Sequence, residues 1–305
     1  MIPARDPYDP LLLDLLHSIG EQDYPKAQLE VLIITEGNSE EAKAIGLQRA
    51  GGDIIGLLCC DNALLEPDFL TTLVQAASRV DVVGAYTARY AYVRDDLPLN
   101  RYFALLGAND PVCWWLGKAD RKGHGHPVER TRIARFPLGT PLPSLGDNGC
   151  FFKAAAIRAA NPQPATFGSP MCFCEDLRRL GLDTYAVVGT HATWHRTGDT
   201  LGRYLWRRWH YVRTLYFQRR SLRRWHLVDG PRDWLFTLGF VLASVTLVPQ
   251  VLVACYGAYR SRDWCWIWHP VCCMAITCMY IALTLEARLL AWWSAPRAAQ
   301  NWRTV

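Results

Sequence analysis

The sequence predicts a Rossmann-like α/β domain with a mixed sheet and helices on both faces, then a basic interfacial helix, then a C-terminal transmembrane helical hairpin. Three observations carry this. From residue 11 onward, stretches of helical period alternate with short apolar runs, the pattern of a sheet buried on both faces. Between Leu201 and His226 stand eight arginines and no acidic residue. Beyond them, Trp234 to Tyr259 and Trp264 to Leu285 contain no Asp, Glu, Lys or Arg. The boundaries that follow are 1–200 for the α/β domain, 201–230 for the interfacial segment and 231–305 for the hairpin and its tail.

The elements of the α/β part can be justified in order. Leu11, Leu12, Leu15 and Leu16 form one helical face that ends before Tyr24-Pro25, and Leu29 to Ile34 is the first apolar strand. Ser39 suits an N-cap, with Glu40 and Glu41 favourable in a first turn, and Gly51-Gly52 stops that helix. Asp53 to Leu58 is the next buried strand, and Cys59-Cys60-Asp61-Asn62 forms a loop into the helix that begins near Pro67-Asp68. Val80 to Tyr86 makes a third strand, and the Gly-, Pro- and Arg/Lys-rich stretch 117–147 reads as long loops.

The two uncharged runs hold 26 and 22 residues. At ~1.5 Å per residue they reach about 39 and 33 Å, against a hydrocarbon core of roughly 30 Å. Pro249 and Pro270 are tolerated in membrane helices, where neighbours satisfy the freed carbonyls. The alternative is a pair of buried core helices, which rarely run so long without a charge. Tyr204, Trp206, Trp209, Tyr211, Tyr216, Phe217 and Trp225 interleave with the arginines, the composition of a helix in an anionic headgroup layer. A nucleic-acid surface has a similar composition; the position just ahead of the hairpin favours lipid, and no nucleic-acid partner is expected. By the positive-inside rule the arginine segment and the α/β domain lie on the cytoplasmic face of a multi-pass membrane protein. The turn near Arg260 then lies outside, and the tail with Arg288, Arg297 and Arg303 returns inside.

Composition excludes other classes. Hydrophobic residues at 50% exclude intrinsic disorder. Removing the eight clustered arginines from the 33 basic residues leaves 25 against 28 acidic ones, so the net charge of +5 is local. Eleven cysteines, an odd number concentrated partly in the apolar runs, do not form a disulfide framework. Cys172 and Cys174 are one residue apart rather than two, which argues against zinc and for a reduced cytosolic domain. No signal peptide is expected, because Asp14 interrupts the leucine run at 11–16.

In an open α/β sheet, ligands bind at the carboxyl ends of the strands. The polar residues there are Glu36 after the first strand and Asp61 with Asn62 after the second. A nucleotide diphosphate at that edge needs its charge neutralised, which a divalent cation held by one or two carboxylates achieves. Asp61-Asn62 also suits a simple turn or cap pair.

With these residues in view, roughly residues 10–220 resemble the inverting family 2 glycosyltransferases of GT-A fold. The run LLLDLLHSIGEQDYPKAQLEVLIITEGNS is similar to that family's first helix, its Gln-x-Tyr-Pro turn and a strand ending in an acidic pair. Glu36 falls on the second acid, which the resemblance assigns to the donor's uracil or guanine, and Thr35 replaces the first. AKAIGLQRAGGDIIGLLCCDN resembles the segment leading to the Asp-x-Asp metal motif. Counted along the strand, Cys59 stands for the first Asp and Asp61 for the second, the ligand of Mn²⁺ or Mg²⁺. Counting back from Pro67-Asp68 shifts Asp61 by one residue; the strand count is preferred because pleat alternation fixes register.

SLGDNGCFFKAAAI is similar to the family's acceptor-side strand, and CFCEDLRRLGL to its Glu-Asp helix. The resemblance makes Asp176 the general base for the acceptor hydroxyl and sets Glu175 beside it; two carboxylates opposite a helix dipole are the non-catalytic alternative. In AVVGTHATWHRTGDTLGRYLWRRWHYVR, His195 aligns with the family's metal or diphosphate ligand, and His191 is the alternative. Arg207-Arg208-Trp209 is similar to the Gln-x-x-Arg-Trp element of processive members but lacks the Gln, so processive synthesis is not implied. These residues would instead bind an acceptor phosphate or face solvent or lipid.

Two departures stand out. Only Met1 to Pro10 precedes the first helix, so the family's opening strand is expected to be missing or cut short, and the helix-strand pair usual before the Ala42 helix is absent. The implied function is a membrane-bound glycosyltransferase, with a nucleotide-sugar donor and a divalent cation. On topology alone, its acceptor is expected to be a lipid such as polyprenyl phosphate or a glycolipid. The alternative is a degenerate, membrane-anchored domain that binds or scaffolds, which Cys59 and the short start motivate.

Overall fold

A computed structural model describes residues 1–123, 130–160, 170–198, 200–218, 220 and 223–294, the side chains of 170–172 and 291–294 excepted. Arg219, Arg297, Arg303, the Cys172 side chain and part of the predicted 117–147 loop therefore lie outside the described residues. The central sheet has the order β3-β7-β5-β8-β6. Its strands are β3 (Ile54–Leu57), β5 (Gly84–Thr87), β6 (Arg132–Arg135), β7 (Cys150–Lys153) and β8 (Thr184–Val188). β5 and β8 run parallel and the other pairs antiparallel, so the sheet is mixed, as expected.

Alternation along the strands makes two cores. Ala85, Phe151, Ala186 and Val188 face one side, with Leu12, Leu15 and Ile19 of α1 (Pro10–Gly20) and Phe69, Leu70 and Leu73 of α3 (Phe69–Ser78). Tyr86, Phe152, Tyr185 and Val187 face the other, against α4 (Pro98–Leu106), α5 (Pro111–Trp115) and α7 (Pro170–Arg179). Glycines permit the close approach: a Cβ on Gly84 would lie 2.4 Å from the Phe151 carbonyl oxygen.

At the start of the chain an opening strand is present in short form. A short β1 (Ile2–Pro3) exists and pairs in parallel with β2 (Ile33–Ile34). The Met1 ammonium donates to the Gly56 carbonyl at 2.9 Å and Leu58 N–H donates to the Met1 carbonyl at 3.2 Å, so these residues bridge β2 to β3. β2 is shorter than the run Leu29–Ile34 suggests, because Val31 and Ile33 face solvent at the sheet edge while Ile34 is buried. In α2 (Ser39–Arg49) the N-cap is Asn38, not Ser39: its carboxamide accepts from Glu40 and Glu41 N–H, and the Glu41 side chain returns the bond. The Arg79-Asp81 turn takes up the first residues of the predicted Val80 strand, leaving Val80 exposed. Segment 117–147 contains β6 as well as loops.

The C-terminal helices differ most from expectation. The first uncharged run is not one helix; α9 (Gly230–Thr246) and α10 (Val248–Ser261) are bent by 85°. Leu247 is left-handed at φ 61°, and Pro249 cannot donate to the preceding turn, so the helix is broken there. After Arg262 at φ 53°, Trp264–Ile267 is a short 3₁₀ turn and α11 (Trp268–Ser294) continues well past Leu285. One helix, Trp264–Leu290, is long and apolar enough by itself to cross a membrane. A second span, if the helices crossed a membrane, would have to be the bent α9-α10 pair rather than one straight helix.

These helices share the larger core with the sheet, since Cys272, Cys273, Ile276 and Met279 belong to the same cluster as Phe152 and Tyr185. Ion pairs reinforce the contact. Lys118 meets Asp233 of α9 at 2.6 Å, and Arg101 of α4 meets Asp263, between α10 and α11, at 2.8 Å. The Tyr92 hydroxyl donates to the same Asp263 carboxylate at 2.6 Å. The turn expected across a bilayer from the α/β domain is thus bonded to that domain. Of the basic segment expected over 201–230, α8 (Leu201–Tyr211) is α-helical and passes into a π-helical turn, Val212–Gln218. Its aromatic side chains divide: Tyr204 is buried and Trp206 exposed. Farther along, Trp225 is buried and donates to the Leu142 carbonyl at 3.0 Å.

Two predictions follow from this packing. Gly84→Ala should lower unfolding free energy by about 1–3 kcal/mol in denaturant titrations, because the new methyl meets backbone rather than a yielding side chain. Burial raises the Asp263 carboxyl, but bonds from Tyr92, Cys265 N–H and Arg101 outweigh it and hold it at about 2, below the ordinary 3.8. The carboxylate therefore contributes stability above about pH 4 that is lost as pH falls toward 2. Asp263→Asn should lower stability at neutral pH and flatten that part of the acid-unfolding curve.

Candidate functional site

Beyond the carboxyl end of β3 the chain turns through Cys59-Cys60-Asp61 into β4 (Asn62–Leu64), which pairs antiparallel with β9 (Thr193–His195). In this register Asn62 lies opposite His195, and Arg196 N–H donates to the Asp61 carbonyl at 2.9 Å. Asp61 and His195, 134 positions apart in sequence, are thereby brought together: His195 Nε2 lies 3.5 Å from Asp61 Oδ1. Arg207 of α8 approaches the other carboxylate oxygen at 3.7 Å. Burial raises the Asp61 carboxyl, but His195 and then Arg207 outweigh it, so the group is held below its ordinary range and is an anion at neutral pH.

Unspent hydrogen-bonding capacity collects here. Asp61 Oδ1 is buried without a hydrogen-bond partner among the described residues, and so are Thr193 Oγ1, His195 Nδ1 and Thr197 Oγ1 along β9. Buried polar atoms are usually satisfied, so water, an ion or a ligand would complete these groups. One carboxylate oxygen and one imidazole suit Mg²⁺ or Mn²⁺ when phosphate oxygens and water complete the shell. Among the described residues no group of three or more His, Cys, Asp or Glu side chains is placed to hold a metal. A cation at this place would find Asp61 and His195 among the described side chains and would need its further ligands from outside them. Cys59 and Cys60 do not add thiolates: burial, then Asp147, pushes Cys59 well up, and burial, then Asp61, pushes Cys60 to about 11.

A second layer holds this pair. Asn62 is fully buried; its carbonyl oxygen accepts from Cys59 N–H at 2.9 Å and its amide donates to Asn148 Oδ1 at 3.1 Å. It supports the turn, leaving Asp61 to face the site. Asn148 Nδ2 donates to the Tyr90 hydroxyl at 3.1 Å, Tyr90 donates to Asp120, and the Tyr90 ring lies 5.1 Å from the His195 ring. Burial raises the Asp120 carboxyl, only partly offset by Arg121, Tyr90 and His195. Residue typing did not single out Tyr90, Asp120 or Asn148. The available signal was Gly146-Asp147-Asn148-Gly149, where Gly146, Asn148 and Gly149 all take positive φ.

The remaining candidates lie apart from this contact network. Glu36, just past β2, is exposed and forms a two-pronged pair with Arg49 at 3.1 Å. Glu175 pairs with Arg178 at 2.5 Å and Arg179 at 3.2 Å. Asp176 accepts from Arg224 Nε at 2.6 Å. Arg224-Trp225 has the same Arg-Trp order as Arg208-Trp209, and it is Arg224 that meets Asp176. Arg207 also donates to the Thr197 carbonyl. Arg208 instead pairs with buried Asp110, which accepts from the Tyr280 hydroxyl at 2.8 Å; Trp209 packs partly buried on the core. His191 Nε2 donates to the Asp68 carboxylate at 2.9 Å, apart from the Asp61-His195 contact.

No family model matches the chain, and no curated protein matches it in sequence. Among solved structures, it is similar to mannosyltransferase PcManGT from Pyrobaculum calidifontis in complex with GDP-Man and Mn²⁺. The TM-score is 0.51 at 13% identity, covering 94% of this chain and 85% of that one. A weaker likeness, to S. aureus TarS 1-349, has a TM-score of 0.39 at 11% identity and covers 70% of this chain and 62% of that one. The first likeness shows a shared glycosyltransferase-like fold.

Replacing Asn148 by Leu removes the partner of Asn62 and Tyr90 and should cost about 1–3 kcal/mol of unfolding free energy. Denaturant titration checks it.

Proposed function

We propose that this protein is a membrane-associated, inverting glycosyltransferase of family 2 type, moving a sugar from a nucleotide-sugar donor to a lipid-linked acceptor. One observation carries the reading: the β4-β9 register sets an anionic Asp61 against His195 and Arg207, with buried polar atoms left unspent around them. The shared fold with a transferase whose structure contains GDP-Man and Mn²⁺ supports the same reading.

Asp61 and His195 would hold Mn²⁺ or Mg²⁺. When bound, the ion supplies Lewis-acid neutralisation of the diphosphate leaving group. Arg207 adds a fixed positive charge on the same side. Asp176 accepts the acceptor's hydroxyl proton as that oxygen bonds to the anomeric carbon. The carbon–oxygen bond to the diphosphate breaks, its electron pair stays on the departing phosphate, and configuration inverts. Arg224, 2.6 Å from Asp176, orients the carboxylate. Glu175, tied to Arg178 and Arg179, lies beside Asp176 in the middle of α7 rather than in its first turn. Glu36, at the end of β2, would contact the donor base, exchanging its present bond to Arg49. The acceptor's lipid would lie against the C-terminal helices, with the α/β domain on the cytoplasmic face.

The test is turnover of a panel of UDP- and GDP-sugars by the purified full chain with Mn²⁺ or Mg²⁺. Asp61→Ala should reduce the rate by at least about 10²-fold, and Asp176→Asn by about 10²- to 10⁴-fold. Unchanged turnover in both variants would mean the roles are wrongly assigned, and nucleotide binding without turnover would favour a degenerate binding domain.

A further inference from the structure

The outer face of α9, α10 and α11 is apolar and exposed, and the positions of its ends say how it meets a membrane. Leu238, Leu242, Leu252, Ile267 and Leu285 are each 55–65% exposed, on helices whose inner faces are buried in the shared core. So many large exposed apolar side chains on neighbouring helices exceed the scattered single ones usual on a protein surrounded by water. The occupant is argued from the rim. Tyr259 and Trp264 are exposed at 84% and 63% beside exposed Arg260 and Arg262, and exposed Trp234 stands beside Arg232. Amphipathic rings next to arginines match the headgroup level of an anionic leaflet. A second copy related by two-fold symmetry would set that arginine rim against itself.

The ties to the α/β domain decide depth. Asp233 at the start of α9 is held by Lys118 and Asp263 after α10 by Arg101, so the bent pair leaves the domain and returns to it. α11 starts beside that second tie, and one turn from Leu290 its Glu286 pairs with Arg213. Midway, Tyr280 bonds Asp110 at 2.8 Å. From Trp268 to Glu286 the helix rises about 27 Å, close to the hydrocarbon thickness of roughly 30 Å. If α11 crossed a bilayer, the residues that hold its two ends would sit on opposite sides of it. They stand on elements that share one packed core, Arg101 on α4 and Arg213 on the Val212–Gln218 turn.

We propose that α9, α10 and the described length of α11 form a monotopic platform that sinks its outer face into one leaflet of an anionic bilayer without crossing it. This is independent of the sugar-transfer reading, because docking needs neither donor nor metal. The platform places the α/β domain directly against the headgroups, and the turn Arg260–Asp263 lies on the same side of the membrane as that domain.

Two measurements on the full chain test it. In flotation with vesicles of phosphatidylcholine and phosphatidylglycerol, Leu252→Glu with Leu285→Glu should lower the bound fraction by about tenfold or more. Tyr259→Glu, at the more exposed rim, should lower it as well and serves if the double variant fails to fold. Wild-type flotation by the folded variants overturns the proposal. So does a dimer that the same substitutions dissociate while flotation persists. In membrane vesicles from expressing cells, Arg260→Cys should react with an impermeant maleimide in the same orientation as Tyr8→Cys on the α/β domain, read by peptide mass. Labelling of the two positions from opposite faces would show a crossing hairpin and overturn it.

Discussion

The antiparallel pairing of β4 with β9 is the constraint on which the site depends. A strand register is discrete, and a slip of one residue would turn His195 away from Asp61. The register is secured from both sides: Arg196 N–H to the Asp61 carbonyl along the ladder, and Asn62 to Asn148 to Tyr90 across it. Because Asn62 spends its side chain inside the turn, Asp61 need not, and its Oδ1 is left buried and unpartnered beside His195. That deficit is electrostatically coherent. An isolated buried carboxylate would be driven to protonate, whereas one facing an imidazole and a guanidinium stays charged and ready to take a cation.

The same logic of paired charges fixes the C-terminal helices. Lys118-Asp233, Arg101-Asp263 and Arg208-Asp110 are largely buried pairs, each strongly unfavourable to break from one side. They sit around α4 and α5, whose Tyr102, Phe103 and Leu106 are fully buried between the sheet and the C-terminal helices. The sheet and the C-terminal helices are consequently parts of one packed body.

Much of this was legible in the sequence. Period and composition located the strands, the Arg-rich helix and the apolar runs, and the resemblance led to Asp61 and His195, which the fold then brought together. The losses have physical causes. The Leu29 run overstates its strand because an edge strand has one dry face, and apolarity alone does not say which residues lack a neighbour. The uncharged run 234–259 reads as one helix because hydropathy is blind to backbone geometry; Pro249 was visible, yet the left-handed Leu247 beside it is set by tertiary packing. The turn at Arg260 was assigned by charge bias to the far side of a membrane, and charge bias does not record that Asp263 beside it pairs with Arg101 of α4. Tyr90, Asp120 and Asn148 come from loops whose convergence no local pattern records.

The most direct measurement of the central claim is the loss of the free Mn²⁺ electron paramagnetic resonance signal on titrating the protein in the presence of UDP or GDP. The account predicts that the wild-type chain binds Mn²⁺ with the nucleoside diphosphate, and that Asp61→Ala and His195→Ala each abolish that binding while remaining folded. Binding that is undiminished in both variants, or absent from the wild-type chain with either nucleotide, would contradict it.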